Sequence, residues 1–91
     1  MIKRVVRVEN QLGLHARAAA KLVKLTARFK SDIKLSRLNN NQRIDAKSIL
    51  GVLLLAAARG TELEVIVDGE DQEVAMEGIV ALFEDRFGEK K

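Results

Sequence analysis

The chain of 91 residues contains no cysteine, no tryptophan, no tyrosine and only one histidine. Without cysteine there is neither a disulfide framework nor a thiolate metal site, and a lone histidine argues against structural zinc, so no metal and no cofactor are expected. The only aromatic residues are Phe29, Phe83 and Phe87, all in segments with helical periodicity. A basic RNA-binding or ribosome-associated domain would need stacking aromatics on a sheet, so nucleic acid is disfavoured as a partner. The longest apolar run, Ile49 to Ala58, is well short of the roughly 20 residues that span a bilayer. The opening Met1-Ile2-Lys3-Arg4-Val5 lacks the apolar stretch of a signal peptide, which leaves a reducing cytoplasm as the expected location.

Charge is abundant but unevenly placed. Residues 1–50 carry 12 Lys and Arg against 3 Asp and Glu, whereas residues 51–91 carry 4 against 10. A basic first half can steer an acidic partner, while an acidic second half limits nonspecific polyanion binding.

The residue pattern predicts one domain over residues 1–91 with the order βαββαβα. Ile2 to Val8 is rich in β-branched residues and runs into the loop Glu9-Asn10-Gln11-Leu12-Gly13. A helix is expected after His15, with Ala18, Leu22, Leu25 and Phe29 on its packed face and Arg17, Lys21, Lys24 and Arg28 as a basic stripe on another. Ile33 and Leu35 begin a hairpin around Asn39-Asn40-Asn41. A short helix follows from Lys47 to about Leu55, with Asp45 as its candidate cap. In the last strand Leu63, Val65 and Val67 alternate with Glu62, Glu64 and Asp68, the pattern of a sheet solvated on one face. The last helix opens near Glu70, Asp71 and Glu73, directs Met76, Val80, Phe83 and Phe87 at the core, and leaves a charged tail expected to fray. Together these elements predict an α+β, two-layer open-faced sandwich, with three helices on one face of a four-stranded antiparallel sheet.

The only histidine stands in Gly13-Leu14-His15-Ala16-Arg17, where a loop opens into a helix. A neutral imidazole is a competent nucleophile near pH 7. The unpartnered N–H groups and dipole of a helix start favour a phosphoryl group, here the backbone of Ala16 and Arg17, and the Arg17 guanidinium adds a charged fork. No carboxylate stands near His15 in sequence to serve as a base, and a free imidazole lone pair needs none. Without this context a loop histidine, or a helix cap, would be the ordinary reading.

Gly13-Leu14-His15-Ala16-Arg17 followed by small residues resembles the active-centre signature of the HPr phosphocarrier family. Lys47-Ser48-Ile49-Leu50-Gly51-Val52 is similar to that family's second signature, and Ala58-Arg59-Gly60 and Asp68-Gly69-Glu70-Asp71 extend the resemblance over essentially the whole chain. One departure is Ala18, where the family usually has proline; it restores an N–H and removes a preset φ angle. The resemblance implies the same open-faced sandwich in a monomeric carrier that is not itself a catalyst. It implies that His15 accepts a phosphoryl group through Nδ1 from Enzyme I and donates it to an Enzyme IIA domain.

The resemblance also implies regulation. Ser48 reads either as a helix-start residue or as the phosphosite of an HPr kinase/phosphorylase, which would bring a transcriptional regulator in as a further partner. Ile49, Leu50 and Leu53 exceed what a short helix can bury, so with Arg17, Lys21 and Lys24 they form the expected docking surface. The segment Lys47 to Val52 points to the sugar branch of the phosphotransferase system, whereas Ala81-Leu82-Phe83 with Phe87 loosely resembles the nitrogen-related branch.

Overall fold

The computed structural model describes all 91 residues. Its strands are β1 (Ile2–Arg7), β2 (Asp32–Arg37), β3 (Arg43–Asp45) and β4 (Glu62–Asp68), and its helices are α1 (Ala16–Thr26), α2 (Ile49–Leu54) and α3 (Gln72–Glu84), with one 3-10 turn at Arg86–Gly88. The sheet runs in the order β1-β4-β2-β3 and every pairing is antiparallel. The three helices cover one face, giving the two-layer α+β arrangement that the alternating strand pattern predicts.

Register explains which side chains are buried. Val67 lies opposite Ile2 and Ile33, Val65 opposite Leu35, and Leu63 opposite Val6, so the apolar residues of three strands share the helix-facing side. They pack with Leu22 of α1, Val52 of α2, and Met76, Ile79 and Phe83 of α3 in one core. Full burial of an aliphatic or aromatic side chain stabilises by about 1.5–3 kcal/mol, so this layer supplies the main driving force. On the open side Ile66 breaks the polar alternation yet is buried, because its register neighbours are Lys3 and Lys34, whose aliphatic stems can lie over it.

Three elements differ from expectation. Helix α1 stops at Thr26, whose Oγ1 donates to the carbonyl oxygens of Val23 and Ala46, so Phe29 lies past the helix while still packing on the core. Asp45 does not cap α2. Its carboxylate accepts from the Lys47 N–H and closes the preceding turn, and Ser48 is the cap, with Oγ accepting from the Gly51 N–H at 3.1 Å. The third is the tail. Arg86 and Phe87 adopt φ of 57° and 56°, followed by Gly88 at 77°, and this left-handed run turns the chain back across the end of the molecule. A non-glycine residue there costs about 1–2 kcal/mol. Burial of Phe87, edge-on to Phe83 with ring centroids 4.9 Å apart, offsets that strain.

Candidate functional site at the start of helix α1

The loop that presents His15 is fastened at both ends. The Val8 N–H donates to the Thr61 carbonyl, the Gly60 N–H to the Val8 carbonyl, and the Leu14 N–H to the Ala57 carbonyl at 2.9 Å. Leu14 is buried in the core, so the residue before His15 has little freedom. Gly13 adopts φ +69°, and a β-carbon there would fall 2.6 Å from the Ala57 carbonyl oxygen, so this site of the motif requires glycine on two counts.

His15 is the N-cap of α1. Its backbone is extended, its carbonyl accepts from the Ala19 N–H, and its Nδ1 accepts from the Arg17 N–H at 3.4 Å. That bond is long and correspondingly weak, which leaves the Nδ1 lone pair loosely engaged at the positive end of the helix. Ala16 and Arg17 are exposed, so the helix start beside Nδ1 is open to solvent. Ala18 occupies the first turn and is fully buried, and the helix forms with alanine there.

The other ring nitrogen has a partner that the linear sequence gave no sign of. Glu89, 74 residues away, places Oε2 2.6 Å from His15 Nε2, and the Asn10 side-chain amide donates to Glu89 Oε1 at 3.1 Å. The expected frayed tail is therefore ordered against the site. The Lys91 carbonyl accepts from the Gln11 N–H, and Lys21 Nζ donates to the Phe87 carbonyl at 2.7 Å. Bonds from His15 and Asn10, with a smaller attraction to Arg17, hold the Glu89 carboxyl below its ordinary range despite partial desolvation.

The remaining site residues fall on two adjoining elements. Arg17, Lys21 and Lys24 are exposed along α1, although Lys21 is also bound to the tail, and Arg28, expected to continue their stripe, is exposed in the turn after the helix ends at Thr26. On α2, which packs against α1, Val52 is buried with Leu55 just after it, while Ile49, Leu50 and Leu53 are 42%, 64% and 38% exposed. Leu54 and, in the His15 loop, Leu12 add exposed apolar surface that helical spacing did not single out. Ser48 is half-buried at the start of α2, immediately before Ile49 and Leu50. No His, Cys, Asp or Glu cluster is grouped to hold a metal ion, and no helix is long and apolar enough to cross a membrane.

Comparison with known proteins agrees with this arrangement. The family described as PTS HPr component phosphorylation site matches residues 2–85. Phosphocarrier protein HPr of Xylella fastidiosa is 48% identical over 89 residues, 98% of each chain, and that of Cupriavidus necator is 47% identical over the same length and coverage. The crystal structure of HPr-C-His from Thermoanaerobacter tengcongensis superimposes with a TM-score of 0.94 at 34% identity, covering 100% of both chains. The chain belongs to the HPr family, phosphocarriers of the phosphotransferase system rather than catalysts.

Proposed function

We propose that residues 1–91 act as one monomeric cytoplasmic carrier domain that takes a phosphoryl group on His15 Nδ1 from Enzyme I and passes it to an Enzyme IIA domain. The observation that carries this reading is the placement of Nδ1 at the start of α1, beside the exposed Arg17, in a chain of the HPr family. In the first transfer the Nδ1 lone pair forms the N–P bond while the bond from phosphorus to the donor breaks, its electron pair leaving with the donor. In the second a nucleophile of the Enzyme IIA domain forms its bond to phosphorus with its own lone pair while the N–P bond breaks, the pair of that bond returning to Nδ1. Arg17 and the first N–H groups of α1 meet the phosphoryl oxygens in both directions.

Docking joins the Arg17, Lys21 and Lys24 stripe to the Ile49, Leu50 and Leu53 patch, suiting partners that present an acidic rim around an apolar centre. Ser48 caps α2 directly before Ile49 and Leu50, so a phosphate added there by an HPr kinase/phosphorylase would bring about −1.5 to −2 charge to the edge of that patch, opposing docking and offering a mark for a transcriptional regulator. The test is to mix the protein with phosphoenolpyruvate and each Enzyme I paralogue of its own organism, then map the phosphate by mass spectrometry. An acid-labile phosphate on His15, absent from His15→Ala, is expected, and the paralogue that delivers it identifies the sugar or nitrogen-related branch. Phosphorylation that persists in His15→Ala would refute the assignment.

A further inference from the structure

We infer that Glu89, held by Asn10, is a positioning residue for phosphoryl transfer: it fixes the His15 ring with the proton on Nε2 and the lone pair on Nδ1, and faces the positive charge that the ring gains as it accepts phosphate. The inference rests on the carrier reading above and adds to it a group from the far end of the chain.

Two one-way partners give the same tautomer. A backbone N–H can only donate, so the Arg17 N–H at 3.4 Å requires a lone pair on Nδ1. An ionised carboxylate can only accept, so Glu89 Oε2 at 2.6 Å requires the hydrogen on Nε2. The low proton affinity of Glu89 keeps it ionised at neutral pH. The nucleophilic nitrogen is thus turned to the helix start and the other nitrogen to the carboxylate, the relation by which a carboxylate orients a histidine base in hydrolases.

Asn10 shows that this arrangement is built. Its side chain is fully buried, and its amide nitrogen donates both to the Gly13 carbonyl at 2.7 Å and to Glu89 at 3.1 Å. Both neighbours are acceptors, so the amide cannot be reversed, and Oδ1 is left buried with no partner. The tail carrying Glu89 holds two non-glycine residues at positive φ and is anchored by the buried Phe87 and by Lys21. An orphaned buried acceptor and a strained backbone converge on one contact, the one made to His15.

The chemistry gives that contact a purpose. When Nδ1 forms its bond to phosphorus, the ring becomes imidazolium-like and its charge is shared with Nε2–H. The proton stays on Nε2, against the Glu89 carboxylate, so the bond between them strengthens as the N–P bond forms. Glu89 is the one carboxylate in ion-pair contact with the His15 ring.

Glu89→Gln is the sharpest test, because one amide oxygen replaces two carboxylate oxygens. If that oxygen serves Asn10, the amide NH2 faces Nε2 and favours the tautomer with its lone pair on the wrong nitrogen. Chains labelled with 15N at histidine would be measured at mildly alkaline pH, along with initial rates of His15 phosphorylation by phosphoenolpyruvate and Enzyme I. In the wild type Nε2 should resonate as protonated and Nδ1 as lone-pair nitrogen. Glu89→Gln should move both resonances and slow transfer about tenfold, the loss of one charge-assisted bond, with the fold retained. Wild-type rates in Glu89→Gln, or a slower rate with unmoved nitrogen resonances, would overturn the inference. Failure of wild-type His15 to take phosphate from any Enzyme I would instead refute the carrier reading, and the nitrogen resonances would still decide the geometry.

Discussion

Replacing Gly13 by alanine perturbs the site without touching a group that does chemistry. At φ +69° an alanine costs about 1 kcal/mol relative to glycine. Its β-carbon would also lie 2.6 Å from the Ala57 carbonyl oxygen and 3.0 Å from Ala58 Cα, both backbone atoms, so the loop must move and strain the Leu14 N–H bond to Ala57. Overpacking of this kind costs about 1–3 kcal/mol, which brings the total to about 3 kcal/mol. With a melting entropy of about 2.1 cal/mol/K per residue, Gly13→Ala should melt about 15 °C below wild type. Gly60→Ala is the control. Gly60 also has positive φ, +90°, but the nearest atom to its added carbon is Arg7 Nη2 at 3.8 Å, the free end of a side chain, so only the conformational term of about 1 kcal/mol remains, or about 5 °C. Calorimetry of the three proteins at pH 7 decides the matter. Equal melting temperatures for the two variants, or Gly13→Ala within 5 °C of wild type, would show that the close approach to Ala57 does not determine the glycine.

Arg17→Ala should leave the melting temperature nearly unchanged, since Arg17 is exposed, but slow transfer about tenfold or more by removing a contact worth about 1.5–3 kcal/mol; wild-type initial rates would place Arg17 outside the site. Leu50→Asp should weaken association with Enzyme I, measured by titration calorimetry, and leave the fold intact because Leu50 is 64% exposed; unchanged affinity would remove Leu50 from the interface. Asp71 accepts from the Lys30 and Ser31 N–H groups and the Ser31 hydroxyl, and the Ser31 hydroxyl bond leads in holding its carboxyl below the usual aspartate range. The folded value is depressed, so its stabilisation is complete above about pH 5 and is lost as pH falls through that value below about 4; the melting difference between wild type and Asp71→Asn should shrink over this window, and a constant difference from pH 7 to 2.5 would contradict it. Ser48→Asp should slow His15 phosphorylation at subsaturating carrier concentration with little change in melting; a rate equal to wild type, with phosphoserine behaving alike, would leave Ser48 as only the cap of α2.

What the sequence disclosed followed the range over which each force acts. Alternation in Leu63, Val65 and Val67 is a local consequence of a sheet with one wet face, and those residues are fully buried as the pattern requires. Helix boundaries were less legible. Phe29 keeps the spacing of Leu22 and Leu25, but the Thr26 hydroxyl bond to Ala46 and the Asp71 carboxylate bonds to Lys30 and Ser31 bring in partners 20 and 40 or more residues away that end the helix and fix its exit. Asp45 and Ser48 are both good cap types, and only the folded turn distinguishes them. The Glu89 contact could not be read at all. A carboxylate 74 residues from His15 reaches it only because Phe87 finds a place in the core beyond the end of α3.

The site's shallowness is itself consistent with a carrier. Each 1.4 kcal/mol of extra stabilisation of the phosphorylated form makes donation about tenfold less favourable, so a deep pocket with many donors would trap the group it must release. Here the His15 side chain is 27% exposed, Arg17 is exposed, and Nδ1 has only one long bond from the backbone. The strong contacts of the ring lie on its other nitrogen, where Glu89 and Asn10 can fix orientation without gripping the phosphoryl oxygens. Orientation and retention are thereby assigned to opposite sides of the imidazole. The side left open is the one at the start of α1, where on the proposed reading the groups that complete the transfer would come from the docked partner.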